Sequence, residues 1–183
     1  MTKTTKERTA YHEAGHAVAA FSYNKRLHKV GIKADHDAGL LGYMKRTWGS
    51  GEAITHGDGD RHLRLVTESV TILLAGVVAE REHAPARHNW AGGASDRHEA
   101  TVLAGRIVGD EELGPYMKWL MVRTRQLVKS RWPAIEAMAR ELLVREEMSG
   151  AAATALIRHT LYPPMPADDV ARLAAQFAMA ATR

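Results

Sequence analysis

The chain has 183 residues, of which 45% are hydrophobic, 25% charged and 6% aromatic; that suits one domain burying roughly 70% of its unfolded surface, with no room for an ATPase module beside a catalytic one. Lys plus Arg is 25 and Asp plus Glu is 21, and this formal charge of +4 is spread along the chain, not gathered into the basic face a nucleic-acid binder needs. There is no cysteine, which excludes disulfides and thiolate metal sites.

In chain order, Thr4-Thr5-Lys6-Glu7 reads as a capping box opening an Ala-rich helix that runs to about Tyr23. The polar N-terminus carries no signal-peptide core, so a cytoplasmic protein is expected. His28 to Lys33 and Leu40 to Lys45 alternate polar and apolar around the turn-forming stretch Ala34 to Gly39, which predicts a β-hairpin. Gly49 to Asp60 is rich in Gly and Asp and reads as a loop. Arg61 to about His83 has a helical apolar pattern through Leu65, Val66, Val70, Leu73, Leu74 and Val77. Its longest apolar run, Ile72 to Ala79, falls short of a membrane span, so no membrane is expected for this chain.

Pro85 stops that helix and Gly92-Gly93 marks a loop. A helix from Ser95 or Asp96 to about Val108 should follow, then helices around Pro115 to Ser130 and Pro133 to Glu147. Ser149 should cap a short helix through His159. Tyr162-Pro163-Pro164-Met165-Pro166 reads as a linker, and Asp168 caps an amphipathic tail helix with Val170, Leu173 and Phe177 on one face. The expected fold is mainly α with a small β-sheet, divided into a main domain over residues 1–161 and a linker with tail helix over 162–183.

His12-Glu13-Ala14-Gly15-His16 is H-E-x-x-H on the first helix. Residues four apart share a helical face, so both imidazoles can reach one ion, with Glu13 beside a metal-activated water as general base. Two chance histidines in an Ala-rich helix would give the same string. A third ligand is needed, and Glu80 and Asp96 both qualify. Glu80 is an acid inside an apolar helix, where it would either ligate or hold a ligand histidine from behind. Asp96 follows two glycines that let the chain bend toward the metal, but it could equally be an N-cap, boxed by Glu99. Spacing and chemistry alone leave the two open. The other histidines (His28, His36, His56, His62, His83, His88, His98 and His159) read as mostly solvent-facing, and Trp119, Trp132, Met117, Met121 and Met138 as helix-packing residues.

Three segments together resemble the peptidase domain of the FtsH-type AAA+ zinc proteases: Thr9 to Val18 (TAYHEAGHAV), Leu74 to Glu80 (LAGVVAE) and Gly93 to Thr101 (GASDRHEAT). The stretch from Met138 to Gly150 is similar to that family's closing helices, and the likeness spans residues 5–161. Val77-Val78 replaces the family's usual Arg-Ala, and Ser95 replaces the Asn that commonly precedes the ligand aspartate. The resemblance implies a zincin-like HExxH helix with a helical bundle. It also implies a Zn2+ ion on His12, His16 and Asp96, Glu13 as catalytic acid/base, and Glu80 as a supporting residue. Leu40, Leu41, Gly42 and Tyr43 would correspond to the strand beside the cleft, where an extended substrate can pair through its backbone. The expected activity is ATP-independent hydrolysis of unfolded or extended polypeptides. A low-turnover zinc-containing binding or regulatory module is the alternative reading, and a homo-oligomer or a separately encoded ATPase partner stays open.

Overall fold

The computed structural model describes residues 5–33, 43–46, 59–85 and 93–181. Thr4 of the predicted capping box, the hairpin turn, Leu40 to Gly42, His36, His56, His88 and Gly92 lie outside the described residues. The described chain is mainly helical with a small antiparallel sheet, in the order α1 (Thr5–Ser22), β1 (Leu27–Gly31), β2 (Tyr43–Arg46), α2 (Gly59–His83), α3 (Ala94–Ala104), α4 (Asp110–Ser130), α5 (Trp132–Arg145), β3 (Glu147–Ser149), α6 (Gly150–Leu161) and α7 (Ala167–Ala181).

The centre of the molecule is α2, buried without a break from Ser69 to Glu80. One side of it, through Ile72, Ala75, Val78 and Ala79, joins a core made with α1, β1, α5 and α6. The other side, through Val66, Val70, Leu73 and Leu74, packs on Ala100, Leu103 and Ala104 of α3 and Leu120 of α4. A helix covered all round must be apolar all round, which is why its periodicity is blurred in the middle. By length and hydropathy α2 would pass for a membrane span, but 67% of its most apolar window is buried inside the protein, as a core helix requires. The hydroxyls of Ser69 and Thr71 donate back to the carbonyls of Leu65 (2.7 Å) and Thr67 (2.8 Å), so their burial leaves no donor unmet.

The sheet order is β2-β1-β3. The expected hairpin strands pair antiparallel, with Val30 opposite Met44 and Gly31 opposite Tyr43, and the register slips between Leu27 and Lys29. A third strand, absent from the sequence reading, places Met148 opposite Val30. It exists because Glu146 takes the left-handed conformation (φ 62°) and ends α5, turning the chain straight onto β1.

Other boundaries differ for local reasons. α2 begins at Gly59, inside the stretch read as loop. α3 stops at Ala104, not Val108: past Gly105 the pattern tightens, with the Arg106 and Ile107 N–H groups donating to the Leu103 and Ala104 carbonyls three residues back (3.2 and 3.1 Å), and the chain turns. α4 begins at Asp110, five residues before Pro115: three acids fill its first turn, and the Glu112 carboxylate accepts from the Gly109 N–H (3.1 Å). Pro115 thus sits in the second turn of a helix already nucleated. Ser149 caps α6 as expected, accepting from the Ala152 N–H at 3.3 Å. On α7, Val170 and Phe177 are exposed.

Candidate metal centre

The site forms where α1, α2 and α3 meet. α1 and α2 come close because Gly15, between the two motif histidines, faces the backbone of α2: a Cβ there would lie 2.6 Å from the Ala75 carbonyl oxygen. Directly opposite, Gly76 clears the space filled by the His16 ring, since a Cβ would fall 2.5 Å from both Cε1 and Nε2 of that imidazole. The third element is set by Gly93, which caps α3 in the left-handed region (φ 68°) and lies against Val77 and the His12 ring. That cap turns the first turn of α3 toward α1.

Three donor atoms converge as a result. His12 Nε2 lies 3.0 Å from His16 Nε2 and 2.9 Å from Asp96 Oδ2, and His16 Nε2 lies 3.6 Å from the same oxygen. The two imidazole planes are nearly perpendicular, at 88°. In a tetrahedral metal site with bonds of about 2.0–2.2 Å, neighbouring donor atoms stand roughly 3.3 Å apart. The observed triangle brackets that spacing, so these three side chains can hold a metal ion.

The remaining ring nitrogens fix which atoms are free to ligate. His16 Nδ1 donates to the Ile72 carbonyl at 2.8 Å, and a carbonyl can only accept, so the Nε2 lone pair faces Asp96 and His12. His12 Nδ1 lies 3.3 Å from Glu80 Oε2, a contact that favours the same tautomer, although the N–H is not aimed for a full hydrogen bond. Glu80 is buried and its other oxygen, Oε1, accepts from both Arg8 nitrogens, Nε (2.9 Å) and one terminal NH2. Glu80 therefore touches the far side of a ligand ring and stays outside the donor triangle.

Asp96 is the third residue of α3, behind the Gly93 cap, and its carboxylate points at the two histidines. The N-cap reading weighed for it is therefore corrected. Burial alone would push Asp96 up, but the interactions with His12 and then His16 outweigh it and hold the carboxyl far below the usual carboxylate range. Glu80 follows the same logic: burial raises it, and His12 followed by Arg8 pulls it lower. For His12, burial opposes a charge, yet the contacts with Asp96 and Glu80 prevail and lift the imidazole to about 10. Glu13 is also buried, and its charge adds to the lift on His12. Asp96, Glu80 and Glu13 thus all favour positive charge at His12.

Of the predicted site residues, His12, His16, Asp96, Glu80 and Glu13 come together. Tyr43 belongs to β2, paired with Gly31, while Leu40, Leu41 and Gly42 lie outside the described residues. Arg8, Gly76 and the Ile72 carbonyl went unread in the sequence. Arg8 precedes His12 by one helical turn, a spacing that in retrospect marks it. Among the remaining histidines, His28, His98 and His159 are exposed, but His83 stacks on Tyr11 with ring centroids 3.5 Å apart. Trp132 stacks on the other partner of that cluster, Tyr11, at 5.6 Å, and Met138 is fully buried. Trp119, expected to pack between helices, is instead 47% exposed, with Arg123 over its ring. The chain matches no family model and no curated protein.

Proposed function

We propose that the chain is a zinc-dependent endopeptidase acting on unfolded or extended polypeptides, with the zincin-like fold of the FtsH-type peptidase domain that its motifs resemble. The observation that carries this reading is the donor triangle of His12, His16 and Asp96, whose two histidines stand on the helix that holds a buried Glu13. Two imidazoles and one carboxylate are a donor set that zinc accepts with a position to spare. Glu13, next to a ligand rather than part of the triangle, gives that set a hydrolytic purpose.

When bound, zinc supplies Lewis acidity, bringing the pKa of water toward about 7 and polarising a carbonyl. The chain's own residues do the rest. His12 and His16 offer Nε2 lone pairs, the first from a ring backed by Glu80 and the second from a ring held by the Ile72 carbonyl. Asp96 brings the compensating negative charge. Glu13 takes the proton from the attacking water on its carboxylate and returns it to the amine nitrogen of the departing peptide. Among the described residues β2 is an outer strand of the sheet, with which an extended substrate backbone can pair, giving affinity with little side-chain selectivity.

The test is hydrolysis of unfolded casein by the zinc-loaded chain, by the same protein in chelator, and by Glu13→Gln. The reading expects cleavage in the first case only, with zinc retained by the variant. Hydrolysis that survives Glu13→Gln would refute the mechanism. A chain that binds zinc and casein but never cleaves would instead be the binding module.

A further inference from the structure

We propose that Arg8 is a positioning residue of the metal centre: it grips one oxygen of Glu80 and so fixes the other against the His12 ring, setting the orientation in which His12 meets the metal. This rests on the reading of His12, His16 and Asp96 as a metal site.

The geometry is a three-member chain. Arg8 and His12 stand one turn apart on the same face of α1, and Glu80 reaches across from α2 to touch both. Arg8 engages Oε1 through two of its nitrogens, and Oε2 is left 3.3 Å from His12 Nδ1. Two N–H groups converge on the one oxygen Oε1 and anchor it with a direction that a single ammonium gives less well. With Oε1 anchored, Oε2 is left on the side of the carboxylate that faces the imidazole. Both side chains are largely withdrawn from solvent, Arg8 21% and Glu80 6% exposed, so water competes little for either contact.

A plain tie between two helices is the competing account. The α1–α2 contact does not lack for packing, since Ala14, Ala17, Ala75 and Ala79 are fully buried and Gly15 rests on the Ala75 carbonyl. A tie would also have no reason to present its second oxygen to a ligand ring. His16 has its own fixed acceptor in the Ile72 carbonyl, so the Arg8–Glu80 pair serves His12 alone.

The experiment measures Zn2+ affinity by competition with a chromophoric chelator, for the full chain and for Arg8→Met, Arg8→Lys, Glu80→Gln and the double variant Arg8→Met/Glu80→Gln. Loss of a group supporting a ligand histidine weakens metal binding by about 10–100-fold. Arg8→Met should lose about tenfold, Arg8→Lys less, and the double variant should bind no more weakly than Glu80→Gln alone. The visible absorption of the Co2+-loaded Arg8→Met protein should shift, because the His12 ring has turned. Unchanged Zn2+ affinity in Arg8→Met, or an undiminished extra loss on top of Glu80→Gln, would overturn the proposal. Should Arg8→Met not fold, Arg8→Lys decides: a loss that vanishes in the Glu80→Gln background supports it, and wild-type affinity overturns it. His12→Ala is the control. If it binds Zn2+ like wild type, the metal-site reading itself falls, and this proposal with it; if it loses Zn2+ while both Arg8 variants keep it, only the role of Arg8 is refuted.

Discussion

Replacing Gly76 by alanine sets two effects of opposite sign against each other. Gly to Ala inside a helix is worth about 0.5–1 kcal/mol of added stability, because the unfolded chain loses freedom. At Gly76, however, the new methyl would stand 2.5 Å from Cε1 and Nε2 of His16 and 2.9 Å from Cδ2, which demands a ring displacement of about 1 Å to restore ordinary contact. The ring has little room to give, since His16 is buried and its Nδ1 is held by the Ile72 carbonyl. Overpacking of a filled interior costs about 1–3 kcal/mol, so the net change should be a destabilisation of about 0–2 kcal/mol, or at most roughly 4–8 °C in Tm. The larger effect falls on the metal: a ligand atom moved by about 1 Å no longer reaches the ion, and Zn2+ affinity should drop by about 100-fold or more. Gly105→Ala is the comparison, because its backbone is right-handed (φ −63°) and a Cβ there meets only carbonyl oxygens at ordinary contact, 3.5 and 3.8 Å, so the gain from the less free unfolded chain remains. The assay pairs thermal melts in chelator with Zn2+ titration for both variants. If Gly76→Ala gains as much stability as Gly105→Ala and binds Zn2+ normally, the placement of His16 beneath Gly76 is wrong.

Three further outcomes follow from the same geometry. Asp96→Asn should weaken Zn2+ binding far more than Glu80→Gln, since one removes a donor charge from the triangle and the other a support behind His12; titration giving the opposite order would reverse the ligand assignment. In chelator, stability should peak near pH 5–6 and fall on both sides. His12 is raised from 6.5 to about 10, so its contribution is complete below 6.5 and is lost as the pH climbs toward 10; Asp96 and Glu80 are lowered from 3.8 and 4.5, so theirs is present above those values and lost on acidification. Urea midpoints flat from pH 5 to about pH 10 would contradict this. Ending the chain at Leu161 should leave Zn2+ affinity and Tm unchanged, because α7 follows a proline-rich linker and exposes Val170 and Phe177; a fall in either would show that the tail is part of the domain.

Much of the fold could be read from the chain because most of its signals are local. The H-E-x-x-H spacing needs only the helical repeat to bring two imidazoles together, and the helices and hairpin strands of the described residues announce themselves by periodicity and punctuation. What stayed hidden depended on partners far along the chain. Asp96 and Glu80 are both acids at plausible distances, and only the packing of α2 against α1 and α3 turns one into the triangle and the other behind His12. Arg8 carries no signal of its own in the sequence because its partner lies 72 residues away. Gly76 sits in a run of small apolar residues, and nothing in that run says which ring will lie across from it. β3, at three residues, is too short to have a period and is created by the left-handed turn at Glu146. The start of α4 was misplaced because Pro115 resembles a first-turn proline, whereas the acids at Asp110, Glu111 and Glu112 had already begun the helix.

The central claim, that one metal ion is held by His12, His16 and Asp96, is tested most directly by anomalous diffraction at the zinc edge from Zn2+-loaded crystals. The account predicts a single strong peak at about 2.0–2.2 Å from His12 Nε2, His16 Nε2 and Asp96 Oδ2, with Glu80 out of bonding range. A peak bonded to Glu80 in place of Asp96, or no peak among these residues, would contradict it.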